Sequence, residues 1–114
     1  MDFEKLEVWK KSSRLSADLY LYFRSCKDYG FKEQITRSGL SVPSNIAEGM
    51  TRESEREKYR YLSIAKGSCA ELRTQIYIGI EVHYIENEVG RNWLNQTRDV
   101  AAMLEGLMKK LKPR

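Results

Sequence analysis

Apolar residues recur along the chain at intervals of three and four positions, the spacing that places them on one face of an α-helix. These intervals form four separate stretches, with expected helix boundaries at about residues 4–27, 31–49, 55–82 and 87–111. Four helices of such length joined by short loops are typical of an antiparallel bundle. The sequence therefore predicts an all-α, up-down-up-down four-helix bundle, with residues 1–114 forming a single domain.

The third stretch is the most regular of the four and carries two apolar stripes. It opens with Ser54 and Glu57, the spacing of a capping box that satisfies backbone N–H groups at a helix start. The expected core stripe contains Leu62, Ala65, Cys69, Leu72, Ile76 and Gly79. A second stripe contains Tyr61, Ile64, Ser68, Ile78 and Val82. Because packing within one small bundle rarely needs two apolar stripes on a helix, the second stripe predicts self-association.

Two positions make the helix boundaries less regular. Pro43 lies inside the second stretch, where it removes one backbone hydrogen bond and predicts a kink or a broken turn. The turn between the third and fourth stretches is expected at residues 83–87, because His83 and Asn87 are residue types that tolerate a positive φ. Val89-Gly90 is a competing boundary for that turn.

The basic residues are concentrated at one end of the predicted bundle. Lys and Arg number 20 against 16 Asp and Glu, and residues 1–14, 47–60 and 103–114 together carry 12 basic and 8 acidic residues. A basic end can attract a phosphate backbone. The candidate nucleic-acid-binding residues are Lys10, Lys11, Arg14, Arg52, Arg56, Lys58, Arg60, Lys109, Lys110, Lys112 and Arg114. The alternative is that these residues complement a helix C-terminus or pair with neighbouring acids.

The chain offers little material for catalysis or metal binding. Its one histidine, His83, lies beside a predicted turn, and Cys26 and Cys69 fall in apolar stripes, as expected of free thiols in a reducing cytoplasm. Phosphate-loop, dinucleotide-binding and nucleophile motifs are missing from the sequence. No apolar run is long enough to span a bilayer, and the first residues do not resemble a signal peptide. We therefore expect a cytoplasmic protein that is not an enzyme and has no cofactor, metal ion or membrane association.

Several polar residues occupy positions that the helical pattern would bury. They are Gln34, Arg37, Asn45, Glu48, Glu71 and Gln75. A buried carboxylate needs a partner, so these residues predict either a ligand or nucleic-acid site or an interhelical polar network that fixes helix register. The structural network is the favoured interpretation.

Five segments resemble one known protein family. They are Phe3-x-x-Leu6-x-Val8-Trp9, Gln34-Ile35-x-Arg37-Ser38, Ser41-Val42-Pro43-Ser44-Asn45-Ile46-Ala47-Glu48-Gly49, the run from Tyr61 to Ser68 continuing through Glu71-Leu72-x-x-Gln75, and Met103-Leu104-x-Gly106-Leu107. In this order and over nearly the whole chain they are similar to the bacterial four-helix-bundle proteins encoded in intervening sequences of 23S ribosomal RNA genes. Ser38-Gly39-Leu40 and His83 depart from the family pattern without affecting the expected fold.

The resemblance implies a ring-like homopentamer. The family includes the accessory variability protein of diversity-generating retroelements, which binds nucleic acid and a reverse transcriptase through a basic surface. Two functions follow as hypotheses. The first is a non-enzymatic, homo-oligomeric accessory protein that binds RNA or DNA through its basic end. The second is a structural or adaptor scaffold that binds a reverse transcriptase or another protein and has no direct nucleic-acid role.

Overall fold

A computed structural model describes residues 2–111 of the chain as a short 3₁₀ helix followed by four α-helices. The 3₁₀ helix is Phe3–Lys5, and the α-helices are α1 (Glu7–Tyr22), α2 (Tyr29–Met50), α3 (Glu55–Glu81) and α4 (Asn87–Leu111). Consecutive helices pack against each other, and α1 also packs against α4. The predicted all-α four-helix bundle is confirmed.

Helix α1 is shorter than the expected 4–27 at both ends. Leu6 has extended backbone angles (φ −74°, ψ 128°) and separates the 3₁₀ helix from α1. At the other end, Phe23 is buried and packs its ring 5.7 Å from that of Phe31 and 6.0 Å from that of Trp93. The chain therefore leaves the helix where this aromatic cluster begins, and residues 24–28 form a loop.

Helix α2 continues through Pro43, so the alternative of a broken turn was wrong. Pro43 is buried within α2, where its missing N–H leaves the carbonyl of Gly39 without the usual helical donor. Gly39 is itself a point of close approach, since a Cβ there would lie 2.4 Å from Leu19 Cδ1. The missing side chain of Gly39 thus lets α2 lie close to α1.

The local signals around α3 place its two ends correctly. Ser54 Oγ accepts a hydrogen bond from the Glu57 N–H at 3.1 Å, which is one half of the predicted capping box. Beyond the helix, His83 has a φ of 65° and makes the turn into α4. The competing boundary at Val89-Gly90 was wrong, because Gly90 lies inside α4 and its backbone packs closely against Ile80.

The buried side chains form two clusters, one toward each end of the bundle. The first comprises Val8, Val42, Ile46, Met50, Leu62, Ala65, Cys69, Val100, Leu104 and Met108. The second comprises Leu15, Leu19, Phe23, Ile35, Leu72, Ile76, Ile85, Trp93 and Leu94. Within residues 2–111, no helix is both long enough and apolar enough to cross a membrane.

Candidate nucleic-acid interface

The first half of α1, the α2–α3 loop together with the first turns of α3, and the last turns of α4 lie together at one end of the bundle, which we call the basic end. Their common support is the first buried cluster, to which Val8, Met50, Leu62 and Met108 contribute. Nine of the eleven predicted basic residues fall in the described part of the chain, and all nine belong to these three segments. Lys112 and Arg114 lie outside the described residues.

The basic residues of the α2–α3 loop and of the first turns of α3 are organised around one tyrosine. The Arg52 guanidinium donates a hydrogen bond to the Tyr61 hydroxyl at 3.0 Å and lies 4.9 Å from the centre of the Tyr61 ring. It also pairs with Glu48, with Nη2 2.5 Å from Oε2. Lys58 donates to the carbonyl of Arg52. Although partial desolvation acts in the opposite direction, the Tyr61 phenol and the Glu48 carboxylate raise the pKa of Arg52.

Two further arginines of this segment face solvent. Arg60 lies 5.6 Å from the centre of the Tyr61 ring and 3.8 Å from the Glu57 carboxylate. Arg56 is exposed and makes no ion pair within residues 2–111. The segment thus divides into residues that hold the loop, Arg52 and Lys58, and residues available to a ligand.

The remaining basic residues lie on the side wall formed by α1 and α4. Lys10 Nζ lies 3.5 Å from Glu7 Oε2, and Lys11 Nζ lies 3.4 Å from Asp99 Oδ2 across the two helices. The structure shows no ion pair for Arg14, Lys109 or Lys110 in the described range. The predicted basic set is therefore two groups, one at the α2–α3 loop and the start of α3, and one along α1 and α4.

A groove runs along this side wall, and we call it the α1/α4 groove. It combines a cavity of about 730 Å³ with a second of about 290 Å³ that shares Glu7 and Met103 in its lining. Its charged lining residues are Glu7, Lys10, Lys11, Arg14, Asp99 and Lys110. Its apolar and glycine lining residues are Leu6, Val8, Ala102, Met103, Gly106 and Leu107. Sequence analysis missed this groove, because it depends on how far apart two non-consecutive helices stand.

The six residues of the predicted polar network are not brought together. Gln34, Arg37, Glu48 and Glu71 are exposed. Arg37 has a neighbouring acid on its own helix, with Nη2 3.9 Å from Glu33 Oε2, and Glu48 pairs with Arg52. Gln75 is half-buried, and its Oε1 has no hydrogen-bond partner within the described residues. The prediction of one buried interhelical network through these six residues was wrong in the single chain.

A smaller polar contact joins α2 and α3 instead. Ser41 Oγ and Ser68 Oγ are hydrogen-bonded at 2.8 Å, and the Asn45 amide donates to the Ser41 carbonyl at 2.8 Å and to its Oγ at 3.0 Å. Short hydroxyl side chains fit between closely packed helices, and Asn45 is the one residue of the predicted six that joins them. Paired serines at equivalent depths of two helices were the signal that sequence analysis passed over.

Helix α3 presents an apolar face to solvent. Ile64, Ile78 and Val82 of the predicted second stripe are 41%, 50% and 47% exposed. Ser68 of the same stripe is buried, and Tyr61 is half-buried against Arg52. Leu40 of α2 adds a further exposed apolar side chain, at 47%. An exposed set of large aliphatic side chains is the kind of surface that protein interfaces use.

Cys26 and His83 lie away from the basic end, and Cys69 lies in the core beneath it. Cys69 is buried and donates from its thiol to the Thr97 carbonyl at 3.2 Å, and burial raises the pKa of the Cys69 thiol. Cys26 is half-buried in the α1–α2 loop and His83 is exposed at the α3–α4 turn. Across residues 2–111, no group of three or more His, Cys, Asp and Glu side chains is placed to hold a metal ion.

The opposite end of the bundle is closed by a contact between loops. Asp28 accepts hydrogen bonds from the Phe31 N–H at 3.1 Å and from the Tyr84 hydroxyl at 2.8 Å. These bonds, with that from Phe31 contributing most, hold the pKa of Asp28 below its ordinary value. The hydrogen bond to Asp28 raises the pKa of Tyr84 in turn.

Comparison with known proteins places the chain among relatives of the same architecture. A sequence model of the 23S rRNA-intervening sequence protein family matches residues 4–106. A crystal structure from Bacteroides thetaiotaomicron VPI-5482, described as a protein with unknown function from the S23 ribosomal protein family, is similar with a TM-score of 0.84 and 25% sequence identity. The similarity covers 90% of this chain and 98% of that one. Among curated proteins, none matches the sequence significantly.

Proposed function

The chain belongs to the 23S rRNA-intervening sequence protein family, and from that premise we propose that it is a non-enzymatic, homo-oligomeric accessory protein that binds nucleic acid through its basic end. The solved relative is described as having unknown function. The proposal therefore draws its support from the surface of this chain.

The observation that carries the proposal is the concentration of accessible basic side chains at one end of the bundle. Arg14, Arg56, Lys109 and Lys110 are exposed there and make no ion pair within residues 2–111. Arg56 lies in the first turn of α3, and the hydrogen bond from Lys58 to the Arg52 carbonyl ties the α2–α3 loop to this end of the helix. Basic side chains that contact phosphates displace condensed counterions, which gives binding that needs no base contacts.

Self-association is the second part of the proposal. The exposed Ile64 and Ile78 of α3, with Val82 directly after this helix, supply an apolar surface that a second copy of the chain would cover. The family resemblance makes a homopentamer the expected assembly. A closed ring would place several basic ends close together, and the charge that each copy contributes is modest on its own.

The proposal is tested by fluorescence anisotropy of a labelled structured RNA and a matched DNA duplex, each titrated at low and at physiological ionic strength. We expect saturable binding that persists at physiological ionic strength. The double substitution Arg56→Gln and Lys109→Gln should weaken it and reduce the log–log salt slope by about one unit for each phosphate that the protein no longer neutralises.

The matched control is Arg24→Gln with Arg91→Gln, which removes the same charge from exposed residues at the opposite end. Equal loss of binding in both double variants would show a general charge effect and contradict a site at the basic end. Binding that is absent, or seen only at low ionic strength, would contradict the nucleic-acid function itself.

A second candidate function is favoured by a different observation. The α1/α4 groove exposes Met103, Leu107 and Ala102 between its charged residues, and phosphate backbones gain little from contact with aliphatic side chains. This groove supports the adaptor hypothesis, in which the protein binds a protein partner.

A further inference from the structure

The α1/α4 groove has an apolar surface that the bundle leaves partly uncovered. Three side chains form this surface: Met103 and Leu107 of α4, and Leu6 before α1. Each packs on the first buried cluster and also lines the groove. Helices α1 and α4 pack less extensively than the other neighbouring pairs. An amphipathic helix laid into such a groove would bury these side chains with its own apolar face.

Two small residues widen the approach to α4. Ala102 and Gly106 are four positions apart on this helix, both are exposed, and both line the groove. A Cβ at Gly106 would have no neighbouring atom within 4 Å. The backbone of α4 is therefore open to close approach by another helix at this point.

The charges around the groove are positive at its two ends. Glu7 and Asp99 are matched by Lys10 and Lys11 at 3.5 and 3.4 Å. The surplus lies in Arg14 at one end and Lys110 at the other, neither of which has an ion pair in residues 2–111. From Gln96 to Lys110 the groove follows α4 for about 21 Å, the length of roughly four helical turns.

We propose that the α1/α4 groove is the docking site for an acidic amphipathic helix of a protein partner, with apolar residues seated over Met103 and Leu107 and carboxylates facing Arg14 and Lys110. The charge of the two ends complements that of the helix. This inference rests on the adaptor function and does not depend on nucleic-acid binding. Lys10 and Lys11 stay available to the partner because their own ion pairs are long and partly exposed.

The test uses a fluorescein-labelled peptide of about 15 residues, which spans roughly four helical turns. It carries Leu at spacings of three and four and Glu at the flanking positions, and a matched peptide has Lys in place of every Glu. We expect saturable anisotropy binding and a gain of helical circular dichroism for the Glu peptide, weakening as salt is added. The Lys peptide should bind at least about tenfold more weakly, as expected when like charges meet across an interface.

Gly106→Leu adds a side chain to the groove at a position where a Cβ meets no atom within 4 Å, and it should reduce binding of the Glu peptide by about tenfold or more, the loss typical of a blocked central contact. Gly67→Leu is the matched control, because Gly67 is an exposed glycine of α3 that also has no atom within 4 Å of a Cβ. A second variant, Arg14→Glu with Lys110→Glu, should reverse the preference so that the Lys peptide binds more tightly. This reversal cannot arise from unfolding.

Four outcomes would overturn the docking proposal. The first two are that the Glu peptide does not bind, or that Gly106→Leu and Gly67→Leu weaken its binding equally. The third is that Gly106→Leu lowers the molar mass in light scattering, which would make the groove a contact between copies of the chain. The fourth is that Gly106→Leu abolishes binding of the labelled RNA and leaves that of the peptide unchanged, which would assign the groove to nucleic acid. Failure of RNA binding alone, with peptide binding intact, would contradict the nucleic-acid function and leave the docking site standing.

Discussion

Tyr84 joins the two loops at the end of the bundle opposite the basic residues, through its hydroxyl hydrogen bond to Asp28. Because this bond favours the carboxylate, Tyr84→Phe should raise the pKa of Asp28 toward the ordinary value of 3.8. The pKa should stay below that value, since the Phe31 N–H still donates to Asp28. A ¹³C-detected NMR titration of the Asp28 carboxyl measures the change.

The same substitution predicts a pH dependence of stability with a defined sign. A carboxyl whose pKa is lowered in the folded protein stabilises it fully above the unfolded value of 3.8, and this contribution disappears as the pH falls through the lowered pKa. The stability difference between the wild type and Tyr84→Phe should therefore be present at neutral pH and shrink in acid. Tyr77→Phe is the control, because the Tyr77 hydroxyl accepts from Arg98 and has no carboxyl partner within residues 2–111. If the stability difference between the wild type and Tyr84→Phe stayed constant from neutral pH to strong acid, the result would contradict a role for the Asp28–Tyr84 hydrogen bond.

Residue identity predicted single positions well where the physical cause is local. The N-cap at Ser54 and the positive φ expected at His83 or Asn87 depend on a few neighbouring backbone groups. The structure confirms the cap and places the positive φ at His83, whereas Asn87 begins α4. Glu71 was misjudged because its burial depends on how α3 is rotated against α2. Helical spacing alone defines a face and not the angle at which a neighbouring helix meets it.

At the scale of the helix, close approach between α1 and α2 depends on the missing side chain of Gly39. A Cβ there would lie 2.4 Å from Leu19 Cδ1, and Leu19 is fully buried. We expect Gly39→Ala to be less stable than Gly67→Ala by about 1–3 kcal/mol, the cost of overpacking a filled core. Both variants make the same gain in helix propensity, so the comparison isolates the packing. Urea unfolding of the two variants is the measurement, and equal midpoints would argue against a tight α1/α2 contact.

The periodicity of apolar residues could not predict the helix ends that are set by tertiary packing. The apolar spacing of α1 continues to Cys26, yet the helix ends at Tyr22 because Phe23 turns into the aromatic cluster with Phe31 and Trp93. Helices α3 and α4 match their predictions within one residue, since their ends coincide with local capping and turn signals. The α1/α4 groove is likewise set by tertiary packing, because it arises between helices that are not consecutive.

At the scale of the whole molecule, the up-down topology accounts for the gathering of basic residues. Three sequence segments that are far apart in the chain meet at one end, so the topology alone was enough to place them together. Their division into a loop group and a groove group required side-chain geometry. Arg52 in particular is engaged by Tyr61 and Glu48, and it is better described as a structural residue of the loop than as a free phosphate ligand.

The last prediction links assembly to nucleic-acid binding. Ile78 is half exposed on α3, and Ile78→Asp places a charge in the apolar face that we propose a second copy covers. We expect the variant to form smaller species in multi-angle light scattering. If several basic ends act together in the assembly, its affinity for the labelled RNA at physiological ionic strength should fall in parallel, although no basic residue has been changed.

Leu21→Asp is the matched control for this experiment, since Leu21 is 58% exposed on α1 and the substitution adds the same charge. It should leave both the molar mass and the RNA affinity near those of the wild type. An unchanged mass for Ile78→Asp would place the self-association surface elsewhere. A smaller mass with unchanged RNA affinity would show that one basic end is sufficient for binding, so that the assembly serves to present the protein to its partners and not to multiply its charge.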